Sequence, residues 1–234
     1  MYICGGSTSN GSGNAVSSVD VYDVVTKQMS TRADMSIERV YFNGAAVGNR
    51  VCVCGGYDTN GVVLDSTECF NPDTNSWTPQ ASMSTTRAAS GLTVLEGRMY
   101  AIGGWGGSDN LNSCERFDIG ENTWSSVGSL SVARHGLAAA TMAGYIYAVG
   151  GHTGSSRSKV VERYASGTNK WERMGDLVTA RRGLGAAVWN NQLVAVGGVG
   201  GMDTMEVYDR EQNTWSTATP TLNTAQLSMG VVAV

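Results

Sequence analysis

A hydrophobic stretch that ends in a pair of glycines occurs five times in the 234-residue chain. Successive pairs lie 50, 48, 47 and 47 residues apart. The pairs are Gly5-Gly6, Gly55-Gly56, Gly103-Gly104, Gly150-Gly151 and Gly197-Gly198. A period of this length is typical of repeat architectures, in which each unit buries its apolar surface against its neighbours. The repeat therefore constrains the fold more than any single motif does.

The same further positions follow each glycine pair in the same order. After a polar loop comes an acidic residue, then an aromatic residue two positions later, a tryptophan seven residues further on, and an arginine ten residues after that. The acidic residues are Asp20, Glu68, Glu115, Glu162 and Glu206; the tryptophans are Trp77, Trp124, Trp171 and Trp215; the arginines are Arg39, Arg87, Arg134 and Arg181. The first copy has Met29 in the tryptophan slot, and the fifth has Gln226 in place of the arginine, one residue late.

Each unit reads as four short β-strands, which we call a to d in chain order. In the third copy these are Gly91–Leu95, Met99–Ile102, Ser113–Phe117 and a strand around Trp124. Turn residues recur every 8 to 12 positions, and apolar residues show no helical period. The sequence therefore predicts an all-β fold in which the glycine pair closes strand b.

The glycine pair, the Glu-x-Tyr/Phe and the tryptophan together resemble the Kelch repeat, in five copies across the chain. The resemblance implies a Kelch-type β-propeller of five four-stranded blades. The glycine pairs, the tryptophans and the glutamates then have structural roles. We expect a single domain, 1–234, with blades at roughly 225–234 plus 1–32, 40–80, 88–127, 135–174 and 182–218. The C-terminal strand would pair with the N-terminal strand and close the ring, although a ring with one blade missing from this sequence is the alternative.

One face of the ring should carry the b–c and d–a connections, which include the longest loops. In the substrate receptors of BTB-Kelch ubiquitin-ligase adaptors, the arginine that begins strand a and the aromatic residue after Gly-Gly contact an acidic peptide. Carried over, the resemblance implies a partner-binding site formed by Tyr57, Trp105, His152, Arg39, Arg87, Arg134 and Arg181, with His135 close by. Arginine binds carboxylates through two parallel hydrogen bonds. The alternative is that the arginines pair with the repeated acidic residues of the blades.

Composition gives no indication of a nucleic-acid or membrane partner, because the formal net charge is −4 and charged residues make up 15% of the chain. The five cysteines are interpreted as buried thiols, which favours a reducing, cytoplasmic location. Neither Cys52-Val53-Cys54 nor the two histidines, His135 and His152, complete a set of metal ligands. We predict no metal and no cofactor.

The predicted function is therefore recognition of a short acidic segment of a partner protein by one propeller face. By resemblance, the domain is a monomeric substrate receptor, joined to a cullin-type ubiquitin ligase by a domain outside this sequence. No catalytic motif is present, so we predict that the chain is not an enzyme. The alternatives are a cytoskeletal or structural scaffold and, less favoured, a sugar-processing enzyme similar to mutarotases, which would use arginine and glutamate around the central channel.

Overall fold

The computed structural model describes residues 1–8 and 13–219, which form nineteen β-strands and no helix. The strands make five antiparallel sheets, each of consecutive strands. The first sheet contains β1 (Tyr2–Cys4), β2 (Val19–Asp23) and β3 (Gln28–Arg32). The second contains β4 (Asn43–Val47), β5 (Arg50–Cys54), β6 (Thr67–Asn71) and β7 (Ser76–Gln80).

The other three sheets repeat the second. The third contains β8 (Gly91–Leu95), β9 (Arg98–Trp105), β10 (Asn110–Asp118) and β11 (Thr123–Val127). The fourth contains β12 (Ala138–Met142), β13 (Tyr145–Val149), β14 (Val161–Ala165) and β15 (Lys170–Arg173). The fifth contains β16 (Gly185–Trp189), β17 (Gln192–Val196), β18 (Met205–Asp209) and β19 (Thr214–Thr217).

The five sheets are the blades of a β-propeller, which confirms the predicted fold class. Strand β4 contacts β8, β8 contacts β12, and β12 contacts β16, so the first strand of each of these blades borders the central axis. Alanine and glycine are frequent in these strands because neighbouring blades crowd them. The predicted closing strand, 225–234, lies outside the described residues, as does Gln226.

The two central strands of the third blade are longer than the sequence indicates. Strand β9 continues through the glycine pair to Trp105, and β10 begins at Asn110. The added pairing is Trp105 with Asn110 and Leu111 with Gly104, followed by a register shift before Cys114. A bulge of this kind lets the two strands separate around the glycines and then meet again. It therefore brings Trp105 to the rim of the ring on a strand end and not on a free loop.

An Asn-x-Trp motif fixes each of three blades to the segment that precedes it. The indole of Trp124 donates a hydrogen bond to the Ala81 carbonyl oxygen (3.0 Å), while the Ala81 N–H donates to the Asn122 side-chain oxygen (2.9 Å). The second and fourth blades repeat both bonds with Asn75, Trp77 and Ala33, and with Asn169, Trp171 and Gly128. Each asparagine has a positive φ, which asparagine tolerates better than most residues.

Aromatic residues fill the space within and between the blades. In the fourth blade Tyr164 packs against Trp171 at a centroid distance of 5.2 Å, and it also reaches Tyr100 of the third blade at 5.7 Å. Tyr147 meets Tyr208 of the fifth blade at 5.9 Å in the same way. The four tyrosine rings are buried and Trp171 is partly buried, and each contributes a large apolar surface to the core. The repeated aromatic positions therefore hold the blades together.

A disulfide bond joins Cys52 on β5 to Cys69 on β6, so the interpretation of all five cysteines as thiols is wrong for this pair. The two residues are directly opposite in the register of the strands, with their Cα atoms 4.0 Å apart. The register of the two strands places these side chains on the same face of the blade. This register cannot be read from the spacing of the cysteines in the sequence. Cys54 remains a thiol, and burial raises its pKa to about 12.

Candidate functional site

The glycine pair and the arginine segment of the next blade meet at one face of the ring. A Cβ atom on Gly55 would lie 2.3 Å from the carbonyl oxygen of Arg87, so only glycine allows this approach. Gly55 also has a φ of 66°. The residue after each of the last four glycine pairs then forms a β-bridge with the residue after an arginine: Tyr57 with Val40, Trp105 with Ala88, His152 with His135, and Val199 with Arg182. These bridges form the rim of the channel.

The four arginines lie beneath this rim and are fully buried, with side-chain exposures of 1% or less. Each pairs with a glutamate at 3.1, 2.8, 3.0 and 2.6 Å; the pairs are Arg39–Glu68, Arg87–Glu115, Arg134–Glu162 and Arg181–Glu206. The expectation that Arg39, Arg87, Arg134 and Arg181 contact a partner is therefore corrected. A guanidinium without exposed surface has no access to a ligand, and the alternative of pairing within the blades describes the geometry.

Each glutamate also holds the backbone of the segment that leads to its arginine. The Ser84 N–H donates to Glu115 at 2.7 Å, and Arg87 donates to the other oxygen of the same carboxylate at 2.8 Å. Arg87 also donates to the Gly103 carbonyl oxygen at 2.9 Å, which ties the connection to the glycine pair. Burial acts to raise the pKa of Glu115, but the hydrogen bonds from Arg87 and Ser84 outweigh it and the pKa lies below its usual value. The Glu115 carboxylate is thus charged at neutral pH.

The fourth blade lacks one hydrogen bond that the second, third and fifth blades make. Ser66, Ser113 and Thr204 each accept a hydrogen bond from the local arginine through a hydroxyl group. The corresponding residue in the fourth blade is Val160, which offers Arg134 only its carbonyl oxygen. Burial lowers the pKa of Arg134 to about 10, and attraction to Glu162 partly offsets this effect. The fourth pair is therefore the least fully hydrogen-bonded of the four.

A cavity of about 510 Å³ opens at the centre of the rim. The sequence-predicted residues that line it are Tyr57, Trp105 and His135, and the others are Tyr41, Ala89, Gly136, Arg182, Gly183 and Val199. Most of these side chains are apolar or aromatic. Arg182 is exposed, unlike its buried neighbour Arg181. The structure thus brings three of the predicted residues together, and places His152 against His135 beside them.

We call the opening of this cavity the mouth. The residues two positions after each arginine form a ring of backbone hydrogen bonds around it, which we call the collar. The Ala89 N–H donates to the Tyr41 carbonyl oxygen at 2.8 Å, Gly136 N–H to Ala89 at 2.7 Å, and Gly183 N–H to Gly136 at 2.8 Å. The first three have positive φ angles of 53°, 47° and 62°, and Gly183 has 61°. The collar therefore links four consecutive blades through main-chain atoms alone.

Aromatic rings contact one another around the mouth. Tyr41 and Tyr57 meet edge to face at 6.3 Å, and Trp105 meets His135 at 6.1 Å. His135 then packs against His152 at 5.3 Å. Edge-to-face and tilted contacts of this kind stabilise rings beyond the area that they bury. The contacts give the mouth a firm, largely apolar wall.

Both rim histidines are held in defined orientations. His135 Nδ1 lies 2.6 Å from the side-chain oxygen of Asn110, and the Gly154 N–H donates to His152 Nδ1 at 3.0 Å. Partial burial lowers the pKa of His135, with further contributions from His152 and Arg182. The pKa of His152 is lowered as well, by burial, Arg182 and Arg157. The two histidines of the rim are therefore neutral at pH 7, and the positive charge of the rim lies on Arg182 and Arg157.

No cluster of three or more His, Cys, Asp or Glu side chains suited to a metal ion occurs within residues 1–8 and 13–219. The same part of the chain contains no helix with the length and apolar character needed to cross a membrane.

Sequence reasoning missed Tyr41 and Arg182, although a signal for both is present. Tyr41 stands two residues after Arg39, and Arg182 one residue after Arg181. The buried arginine fixes the backbone, and Tyr41 and Arg182 are exposed within two residues of it, whereas Val40 and Ala88 are buried. Extending the repeat by two residues would have identified the side chains that reach the channel.

The sequence matches the Kelch motif over residues 38–84, 86–131, 133–177 and 180–221. The chain belongs to the Kelch-repeat family. Kelch-like protein 28 of Homo sapiens is 37% identical over 101 residues, which cover 40% of this chain and 18% of that protein. Alpha-scruin of Limulus polyphemus is 38% identical over 81 residues, or 35% of this chain and 9% of that protein.

An F-box/kelch-repeat protein of Arabidopsis thaliana is 32% identical over 85 residues, or 36% of this Kelch chain and 19% of that protein. The matched segments therefore span less than a fifth of the length of these curated relatives. The solved structure of YjhT aligns with a TM-score of 0.79 over 92% of this chain and 80% of that chain, at 17% identity. This last likeness concerns the fold alone.

Proposed function

We propose that this Kelch propeller is a protein-recognition module that binds a short acidic segment of a partner protein at the channel mouth. The observation that carries the proposal is the open cavity lined by Tyr57, Trp105 and Arg182. Trp, Tyr and Arg are the residue types most enriched among the energetically dominant contacts of protein interfaces. Because the wall is hydrogen-bonded from blade to blade, the ligand meets a preformed surface, which reduces the entropy lost on binding.

The acidic character of the ligand now rests on fewer residues than the sequence indicated. Arg182 is the one arginine that lines the cavity among the described residues, and Arg157 lies near His152. An exposed guanidinium can hold one carboxylate through two parallel hydrogen bonds. We therefore propose a segment with one essential carboxylate at Arg182, in place of several acidic residues spread over four arginines.

A catalytic role has less support from this geometry. The enzyme alternative placed arginine and glutamate side chains around the channel, and four such pairs are buried beneath the rim. Their carboxylates and guanidiniums are occupied by one another and by backbone groups. We propose binding without chemistry on the ligand.

The cellular setting of the module is also a proposal. The resemblance to BTB-Kelch adaptors and the F-box/kelch relative support a role as substrate receptor of a ubiquitin ligase, through a domain outside this sequence. A cytoskeletal or structural scaffold is the second candidate, and it rests on the general resemblance to Kelch proteins. From the same resemblance we propose a cytoplasmic location. The Cys52–Cys69 disulfide is then an exception, because disulfides are rare in cytosolic proteins.

The test is a selection of displayed random peptides on the immobilised chain. We expect enriched peptides to contain Asp or Glu, and to lose at least about 30-fold in affinity on Trp105→Ala, as for a dominant interface residue. Arg182→Gln should cost roughly tenfold if it removes one charge-assisted pair. The matched control is Trp189→Ala, which removes a tryptophan that is 56% exposed at the opposite end of β16.

Two results would contradict the proposal. One is the absence of any peptide that is enriched on the wild type over a blank surface. The other is a set of enriched peptides that bind Trp105→Ala as tightly as the wild type, since the binding surface would then lie elsewhere on the propeller.

A further inference from the structure

The cavity at the mouth is larger and more apolar than a carboxylate requires. Its volume of about 510 Å³ lies within the range of about 300–1,000 Å³ that is usual for small-molecule sites. Arg182 and His135 are the basic side chains of its lining, while Tyr41, Tyr57 and Trp105 present aromatic surface. A carboxylate on Arg182 alone would leave most of this apolar wall in contact with water.

The cavity is open beside the collar because most of the collar residues have small side chains or none. Ala89, Gly136 and Gly183 occupy three of its four described positions. A Cβ atom on Gly136 would find its nearest neighbour, the Gly183 nitrogen, at 3.4 Å, which is ordinary contact. The glycine is thus not required by crowding at this point, and its lack of a side chain keeps the cavity open.

Tyr41 occupies the fourth collar position in spite of an unfavourable backbone. Its φ is 53°, in a region that bulky residues rarely adopt and that two other copies fill with glycine. Its side chain is 48% exposed, so core packing does not explain the choice. Backbone strain of this kind clusters at ligand sites. The ring of Tyr41, set edge to face against Tyr57, extends the wall of the cavity.

We infer that the ligand inserts one aromatic or large aliphatic side chain into this cavity, over Ala89 and between Tyr41 and Trp105, with its carboxylate at Arg182. The inference rests on the proposed function and adds the anchor residue to it. The recognised segment thus combines one apolar side chain with an acidic group within one or two residues. The small collar residues set the depth of the anchor pocket, and Arg182 sets its orientation.

The first test uses indole-3-propionate, which carries an aromatic ring and a carboxylate, as the probe. From the affinity per non-hydrogen atom that is common for such ligands, we expect a Kd of about 1 mM. In NMR titrations the Ala89 methyl group and the Trp105 indole N–H should shift and saturate together. Absence of a saturable shift at these two groups up to 10 mM, or shifts centred elsewhere, would overturn the inference.

Ala89→Leu is the variant that fills the pocket, and Ala89→Gly is its matched control. Glycine suits the φ of 47° at this position better than leucine does, so thermal melting of each variant is needed to establish that it folds. We expect Ala89→Leu to weaken indole-3-propionate by at least tenfold and Ala89→Gly to leave it within about twofold. Should Ala89→Leu fail to fold, the Ala89 methyl shift of the wild-type protein decides the matter by itself.

The peptides from the display selection separate this inference from the proposed function. If enriched peptides lose binding on Trp105→Ala and also on Ala89→Leu, both stand, and exchanging the single large apolar residue of the peptide for alanine should abolish binding. If they are sensitive to Trp105→Ala but bind Ala89→Leu as tightly as the wild type, the proposed function stands and the anchor pocket is refuted.

Discussion

Replacing Arg87 by methionine should cost about 3–5 kcal/mol of folding free energy, the usual penalty for removing one partner of a buried ion pair. The side chain donates to the carbonyl oxygens of Gly103 and Ser113, both at 2.9 Å, and to Glu115 at 2.8 Å. Methionine fills similar space but donates nothing. Glu115 would keep the Ser84 N–H as its partner, and the carbonyl oxygens of Gly103 and Ser113 would lose a donor.

The assay is urea unfolding at pH 7 together with thermal melting. For a chain of this size each kcal/mol lowers the melting temperature by about 2–4 °C, so we expect a decrease of about 6–20 °C. The control is Arg98→Met. Arg98 and Asp118 are also 2.8 Å apart, but their side chains are 40% and 29% exposed, and exposed pairs contribute little. The variant should melt close to the wild type.

The pH dependence gives a second check on the same pair. The pKa of Glu115 lies below its usual value in the folded protein, so its contribution to stability is complete above the usual carboxylate range and is lost as the pH falls through the lowered pKa. In Arg87→Met the buried carboxylate has lost its cation, so its pKa should rise. The penalty of the substitution should therefore be smaller at pH 5 than at pH 8.

A double-mutant cycle completes the experiment. Arg87→Met with Glu115→Leu removes both charges, and we expect it to cost less than the sum of the two single changes. If Arg87→Met is no more destabilising than Arg98→Met, the assignment of the repeat arginines to structure is wrong. Their role in partner binding would then need to be reconsidered.

Three further predictions concern single features of the blades. Val160→Thr supplies the hydroxyl group that the fourth blade lacks and should stabilise the fold by about 0.5–1.5 kcal/mol in urea unfolding, whereas Val160→Ala should destabilise it. Thiol titration of the denatured chain should give three groups without reductant and five after reduction, because Cys52 and Cys69 are joined; five from the start would restore the sequence-based interpretation. Peptides selected on the mouth should bind more tightly as the pH falls below about 6.5, because His135 and His152 have lowered pKa values and gain charge only there; a double His→Gln variant should lose this dependence.

The fold could be predicted from the sequence because the residues that indicate it recur at a constant spacing. Each glycine pair, tryptophan and glutamate is weak by itself, but their constant spacing leaves few alternatives to a ring of similar blades. Trp124 illustrates this: the period alone indicates a packing role, and its indole ties the third blade to Ala81. The register of individual strands was less accessible, and the cross-strand bond between Cys52 and Cys69 depends on it.

The candidate site could be predicted from the sequence only in part, for a physical reason. Sequence shows that a residue recurs but not which way its side chain points. Arg181 and Arg182 are adjacent and chemically identical, yet one is buried against Glu206 and the other is exposed at the mouth. The difference arises from backbone pairing at the rim, where Arg182 bridges to Val199. Tyr57 and Trp105 were predicted because they follow the glycine pair directly, where the strand ends at the rim.

The backbone collar of Tyr41, Ala89, Gly136 and Gly183 has a consequence for how such a protein can diversify. Its hydrogen bonds use main-chain atoms, so they demand only a positive φ and leave the side chain undetermined. Glycine, alanine and even tyrosine satisfy the demand in this one chain. An engineer could therefore exchange the collar side chains as a four-position library and alter selectivity while the collar hydrogen bonds between these four blades are kept. The same freedom would let related propellers acquire new ligands without passing through unfolded intermediates in their evolution.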